Sequence, residues 1–492
     1  MKGYKISVVI SCIIFIVCSW YFINNDLWQD EIYTLTHFVF APFATTLFDY
    51  HVANNHILFN FLLNIERHLL GMNDVKEAML HPYYFRIIPF IISLVGMVFF
   101  YVAIKKLYGK KFALIALSVY VTTYSLLNFA TQLRGYSLNI VLCTILFYYY
   151  LKCLKVHNIQ TTNFLKLYLA TLLSIICLPV NIYLIGAMIV LPLIVMFKPS
   201  IKIYVGNFFL SKIVLLKIVF SLVAGAALGT AFYVWLYSNQ PPTDAALPFH
   251  FFATDNLIQS LAVFFHFTHC RIHFYLLLIA FLWMLIRSKN KKDLLSDSLV
   301  ISVTIYVLYF IICFIHGAVI IQRFFLSLIP VFAVLIAAIT DKVFSKEKDT
   351  IKLSIFFVLN FLFVIISFVT AIRVAKKNNE QSINTHDLIN QYYLINFNPK
   401  QTVLLAEKLL NEKNIPLFLD EGFGSTGIAD YLKVYKVPFA YFDANSINNN
   451  SAFIIISNNK KLTEKFLSEK GIFYTKEINS TYHFNIYCCN KN

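Results

Sequence analysis

The sequence predicts an all-α polytopic membrane protein with a small α/β domain at its C-terminus. Three observations predict it. Of 492 residues, 59% are hydrophobic and only 13% charged, with a mean hydropathy of +0.68, more apolar sequence than a soluble fold buries. These apolar residues gather into runs of membrane-spanning length. Beyond residue 372 the runs stop, and a polar, Asn- and Lys-rich tail follows.

Eleven runs read as spans: 6–23, 83–104, 112–130, 137–154, 165–178, 181–197, 213–236, 272–287, 298–316, 324–340 and 353–372. The first follows Lys2 and Lys5, as a signal peptide would. It ends in Ser19-Trp20-Tyr21-Phe22 with no small-residue cleavage site, so it is expected to stay as a span. The fifth and sixth are short and meet at Pro179-Val180-Asn181, which fits two helices or one re-entrant hairpin. Domain organisation follows: a transmembrane part over 1–372, with an external loop at 24–82, then a separate domain over 373–492.

Charge sets the orientation. With the N-terminus in the cytoplasm, the inner segments hold 21 basic residues and the outer face of the membrane part holds six: Arg67, Lys76, Arg86, Arg134, Arg271 and Arg323. The bias holds loop by loop, as the positive-inside rule requires. The net charge of +16 therefore mostly records topology, and no basic-aromatic pattern points to nucleic acid. An odd number of spans puts the C-terminus outside. The expected location is a bacterial cytoplasmic membrane, crossed many times.

The acids are distributed unevenly. Within 1–372, nine lie on the outer face, and seven of those are in the first loop: Asp26, Asp30, Glu31, Asp49, Glu66, Asp74 and Glu77. No Asp, Glu, Lys or Arg lies in the interior of any expected span, away from its ends. Pumps and proton-driven carriers need such groups, so chemistry at the outer surface is the better expectation. The loop itself runs for about 59 residues between spans, too long for a connector. Its apolar segments, Tyr33 to Phe48 and Ile57 to Leu70, are amphipathic and expected to lie in the interface. Within it, Asp30 and Glu31 fit either a solvated helix start or a catalytic pair. Trp28 and Tyr33, residues favoured at headgroup level, flank them and favour the second.

Arg134 stands in Thr131-Gln132-Leu133-Arg134-Gly135-Tyr136, an outer turn with no other charge near it in sequence. It fits a snorkelling side chain or a phosphate ligand, for which the guanidinium fork is suited. Arg323 opens the tenth span, and Arg271 closes a His-rich stretch containing His266 and His269. Of thirteen histidines, ten fall on the outer face of the membrane part. None has zinc-type spacing, so a divalent metal held by His56, or by His266 and His269 with a first-loop acid, stays open beside the reading with no cofactor.

The tail reads as an amphipathic helix around Ala406 to Glu412 and short buried strands at 416–419, 439–442 and 452–456. Gly422 to Gly427 is Gly-rich but lacks both the P-loop lysine and GxGxxG spacing, so it reads as a turn. Of nine cysteines, Cys12, Cys18, Cys143, Cys153, Cys177 and Cys313 sit in or beside spans; adjacent Cys488 and Cys489 form no evident disulfide framework.

In order along the chain stand a first span, an outer loop with Asp30-Glu31, a helix opened by Asn54-Asn55-His56, then Phe85-Arg86-Ile87-Ile88-Pro89. Arg134-Gly135-Tyr136 follows, then Arg323-Phe324 and Pro330. This order resembles the GT-C membrane glycosyltransferases, in the branch with protein O-mannosyltransferases and the aminoarabinose and lipopolysaccharide-core sugar transferases. The resemblance is clearest over 24–140, thinner to 340 and absent beyond 372. Two features depart from it: many members have two prolines after the His or Lys where this chain has Ile57-Leu58, and some have a carboxylate where it has Asn55.

The resemblance implies an inverting transfer from a polyprenyl-phosphate-linked sugar to a glycan, lipid or protein acceptor outside the cytoplasm. It implies one base for the acceptor hydroxyl, Asp30, with Glu31 as orienter or alternate base. Arg134, Arg271 and Arg323 become candidate donor-phosphate ligands, with His56 and Tyr136 beside the substrate. Two other classes share the location: a transporter or flippase of lipid-linked sugars, and a polymerase or ligase of surface polysaccharide. A transporter has no need of seven acids in one external loop. A polymerase or ligase usually concentrates function in a large later external loop, and here the loop after the seventh span is short.

Overall fold

The structure is a computed structural model. It describes residues 2–51, 55–155, 160–197, 211–239, 272–287, 296–316, 322–344, 350–380, 399–420, 427–442, 452–457, 460–477 and 485–490. Among these, six helices are long and apolar enough to cross a membrane: Tyr83–Tyr108, Tyr136–Lys155, Pro179–Phe197, Lys212–Ser238, Asp297–Ile315 and Phe325–Val343. Val8–Ile23, Thr161–Cys177 and Ser354–Thr370 are shorter apolar helices, and the expected run 272–287 is the helix Ile272–Arg287. The fifth and sixth expected runs are two helices joined by a 3-10 turn at Pro179–Asn181.

One expected span is not a single helix. The run 112–130 forms Lys110–Val121 and Tyr124–Phe129, broken at Thr122-Thr123. Both threonine hydroxyls bond back to carbonyls of the preceding turn, Thr122 to Ser118 at 2.6 Å and Thr123 to Val119 at 2.8 Å. Such bonds compete with helix propagation. The irregular backbone from 130 to 135 that follows is buried, the condition under which non-helical chain is tolerated at membrane depth.

The chain divides into two compact units that do not follow chain order. The first holds 1–19, 42–63 and 87–365; the second holds 20–41, 64–86 and 366–492. Of the six long helices, α9 (Tyr136–Lys155) and the one ending in α15 (Ile329–Val343) are the most enclosed, with apolar side chains buried on nearly every face of α15. A helix apolar all round belongs in a core. It packs against Lys110–Val121 and Asp297–His316.

The second unit contains the tail. Its sheet has strands β1 (Leu417–Asp420), β2 (Ala440–Tyr441), β3 (Ala452–Ser457), β4 (Phe473–Glu477) and β5 (Asn485–Asn490), in the order β2-β1-β3-β5-β4. β1 pairs parallel with β2 and β3, and β5 pairs antiparallel with β3 and β4. Phe418, Phe453, Ile455, Leu467, Ile472, Tyr487 and Cys489 form one apolar core of this domain. β1 to β3 match the strands read from sequence. In β5, Cys488 and Cys489 alternate across the pleat, and both are free thiols.

The first loop is built from short helices: α2 (Gln29–Thr34), one π-turn at Leu35–Val39, α3 (Phe43–Phe48) and α4 (Ile57–Leu69). Asparagines on α4 tie the loop down. In the first unit Asn60 donates to Asn55, whose amide donates to the Thr46 and Asp49 carbonyls. In the second, Asn64 donates to the Ala41 carbonyl at 3.0 Å.

Candidate active site

In the second unit, α2 is six residues long, and an isolated helix needs about 12–15 residues to be stable in water. It is held from outside instead. Glu31 is fully buried, and its Oε2 accepts from the Trp28 N–H at 3.2 Å, which satisfies a donor at the helix start. Arg86 completes the arrangement. Its Nη2 donates to Glu31 Oε2 at 2.6 Å and its Nε to Oε1 at 3.2 Å, a bidentate pair. The same guanidinium donates to the carbonyls of Phe22 at 2.9 Å, Asp26 at 3.1 Å and, by a short bond, Asn25. Phe22 belongs to the last turn of α1 (Lys2–Ile23), where carbonyls lack helical partners and a cation is favoured. One ion pair thus fixes the end of one helix and the start of the next.

Asp30 follows directly from this geometry. It occupies the first turn of α2 beside Glu31 and is partly exposed, so the two acids of the predicted pair differ in setting: one is enclosed by Arg86, the other reaches the surface. Asp26 lies nearby in sequence. Burial pushes its carboxyl above the usual range, while the Lys400 N–H and then the charges of Arg86 and Lys400 pull it back. Glu66, on α4, is 8% exposed, and burial pushes its carboxyl up to about 8.

A second group forms within the first unit. Arg134 is 2% exposed; its Nη2 donates to the Tyr136 hydroxyl at 3.4 Å, and its Cζ stands 5.6 Å from the centre of that ring. His56, at the start of α4, meets Tyr136 edge-to-face at 5.1 Å. The approach is close enough that a Cβ at Gly135 would lie 2.9 Å from His56 Cβ, so only glycine fits without a shift. Tyr50 is also within electrostatic reach: burial raises its hydroxyl to about 12, and Arg134 opposes the rise. The result is a buried cation against the Tyr136 ring, which His56 also meets, and a guanidinium is suited to an oxyanion.

Arg323 lies in the 3-10 turn Gln322–Leu328, which packs against Tyr124–Phe129 and α9, the helices on either side of the Arg134 turn. Its side chain, together with Arg271, His266 and His269, lies outside the described residues. Among the described residues no three His, Cys, Asp or Glu side chains converge as metal ligands. The residue that sequence reasoning did not place in the site is Arg86. Its signals are its rarity, as one of six basic residues on the outer face of the membrane part, and its place in the stretch Phe85-Arg86-Ile87-Ile88-Pro89.

No protein-family profile matches the chain, and no curated protein matches it. Among solved structures the chain is similar to two of ArnT from Cupriavidus metallidurans. One is bound to undecaprenyl phosphate, with 10% identity, a TM-score of 0.48, and cover of 98% of this chain and 97% of that one. The other is the apo state, with 9% identity, a TM-score of 0.47 and the same cover.

Proposed function

We propose that the protein is an integral-membrane glycosyltransferase of the GT-C type. It moves a sugar from a polyprenyl-phosphate donor to an acceptor outside the cytoplasm, with inversion. The observation that carries the reading is the division of labour between the first-loop acids. Glu31 is committed to Arg86, which gives it a structural partner and an orienting role. Asp30, one residue away on the same short helix, is half-buried where Glu31 is fully buried. Burying an ion pair is costly, and in this reading the Glu31–Arg86 pair is kept because it fixes the direction of α2.

The chemistry needs little else. The acceptor hydroxyl gives its proton to Asp30 as its oxygen bonds to the sugar C1. The C1–oxygen bond to phosphate breaks, and the electron pair leaves with the polyprenyl phosphate. Arg134 binds and neutralises that phosphate, with Tyr136 and His56 shaping its surroundings and Arg271 and Arg323 as further cationic candidates. The N-terminus is cytoplasmic and the C-terminus extracytoplasmic.

The test uses purified full-length protein in lipid nanodiscs with polyprenyl-phosphate-linked pentose and hexose donors and an extract of envelope lipids and glycans. The expected result is acceptor-dependent release of free polyprenyl phosphate and a product of inverted anomeric configuration. Donors left intact in every combination, or a retained anomer, would overturn it.

A further inference from the structure

Residues 20–41, which carry Asp30, share a compact unit with the C-terminal domain. Three contacts within that unit tie the two segments together. The Lys400 N–H donates to Asp26 Oδ2 at 2.8 Å. Lys400 is the second residue of α17 (Pro399–Lys413), so Asp26 caps that helix from a position 374 residues earlier. The Leu27 N–H donates to the Tyr431 hydroxyl at 2.9 Å, with both residues buried. Tyr431 stands on α18 (Ile428–Val434), and at the start of that helix Gly427 presses on α2. Gly427 has φ +81°, and a Cβ there would lie 2.7 Å from Ile32 Cδ1 and 3.4 Å from the Gln29 nitrogen.

The electrostatics agree with the contacts. Burial raises the Tyr431 hydroxyl well above its usual range. Asp26 raises it further, and the Leu27 N–H and Arg86 lower it, with a last contribution from Glu31. The hydroxyl therefore sits among the charges that fix the first-loop turn. The contact points at 26, 27, 29 and 32 fall on both sides of Asp30 in sequence. A six-residue helix has no stability of its own to hold a carboxylate in one direction.

We propose that the C-terminal α/β domain braces the first-loop helix, with Tyr431 and Asp26 as positioning residues that act on Asp30 through the backbone of residues 26–32. The role rests on the reading of Asp30 as the base, but the brace itself is measurable without turnover.

The experiment uses full-length protein in nanodiscs carrying Tyr431→Phe, which keeps the ring and removes only the hydroxyl. Amide exchange over 27–34 should speed up about five- to tenfold, the loss of one net hydrogen bond, while exchange over 452–457 stays at the wild-type rate. Turnover should fall by a similar factor at unchanged donor KM. In an Asp30→Asn background the same substitution should leave the residual rate unaltered, because a group acting only through Asp30 has nothing left to act on. Asp26→Ala should loosen the same peptide, and Asp26→Asn, which caps as well, should restore it. Unchanged exchange over 27–34 in both Tyr431→Phe and Asp26→Ala would overturn the brace. Equal losses of rate in the two backgrounds would overturn the positioning role. If wild-type protein transfers no sugar, the functional reading fails, and the exchange measurement still decides the brace.

Discussion

Removing Arg86 tests the geometry on which the site depends. In Arg86→Ala, Glu31 stays fully buried with no cation, and the carbonyls of Asn25 and Asp26 lose their Arg86 donor, while that of Phe22 keeps the Asn25 N–H. Breaking a buried pair from one side costs about 3–5 kcal/mol. Each orphaned carbonyl that water cannot reach adds roughly 1–3 kcal/mol. Glu31→Gln is milder, because Arg86 keeps its carbonyl acceptors. The double variant Glu31→Gln, Arg86→Met removes both charges, so its loss should fall short of the sum of Glu31→Gln and Arg86→Met alone by about 0.5–3 kcal/mol. The assay is thermal unfolding in detergent followed by tryptophan fluorescence. Arg86→Ala should lower the first apparent midpoint by roughly 6–20 °C from the broken pair alone, at about 2–4 °C per kcal/mol for a unit of this size. A midpoint within about 2 °C of wild type, or strict additivity in the cycle, would refute the reasoning.

Three further outcomes are expected. Arg134→Ala should weaken binding of polyprenyl phosphate by roughly 10–100-fold, the worth of a charge-assisted hydrogen bond, with the fold intact by gel filtration; unchanged affinity would remove Arg134 from the donor site. Glu66 has a carboxyl raised from 4.5 to about 8, so the folded state holds a proton that the unfolded state releases between those values. Stability contributed by this group is therefore full below pH 4.5 and is lost as pH rises toward 8, with a slope approaching about 1.4 kcal/mol per pH unit. Glu66→Gln should flatten that loss, raising the midpoint at pH 8 and leaving it unchanged at pH 4.5; parallel wild-type and variant curves would refute it. A reporter fused after Asn492 should be active only outside the cytoplasm, and cytoplasmic activity would reverse the orientation.

What the sequence makes legible follows the range of the interactions. Spans are visible because each is a local apolar run, and the helices Tyr83–Tyr108 and Lys212–Ser238 fall where that pattern places them. The run 112–130 misleads because hydropathy averages over Thr122 and Thr123, whose hydroxyls interrupt the helix without lowering the mean enough. In the tail, β1 and β3 are readable as compact apolar stretches. β4 and β5 escape notice, since Phe473-Tyr474-Thr475-Lys476-Glu477 and Asn485 to Asn490 carry polar residues at edges and ends. At the site, Asp30 and Glu31 stand out as neighbours, but nothing local separates their roles. That distinction comes from Arg86, 55 residues on, and from Tyr431, 404 residues beyond Leu27. Pairings at such separations leave no periodic trace in one chain.

The central claim is that Asp30 takes the acceptor's proton. Its most direct test is sugar transfer at saturating donor by wild type, Asp30→Asn and Glu31→Gln, each with donor affinity measured on the same preparation. Asp30→Asn should keep its donor affinity and lose turnover by about 10²–10⁴-fold, the range of general-base catalysis. Transfer by Asp30→Asn near the wild-type rate, with Glu31→Gln inactive, would move the base to Glu31. Transfer by both variants at the wild-type rate would contradict the account.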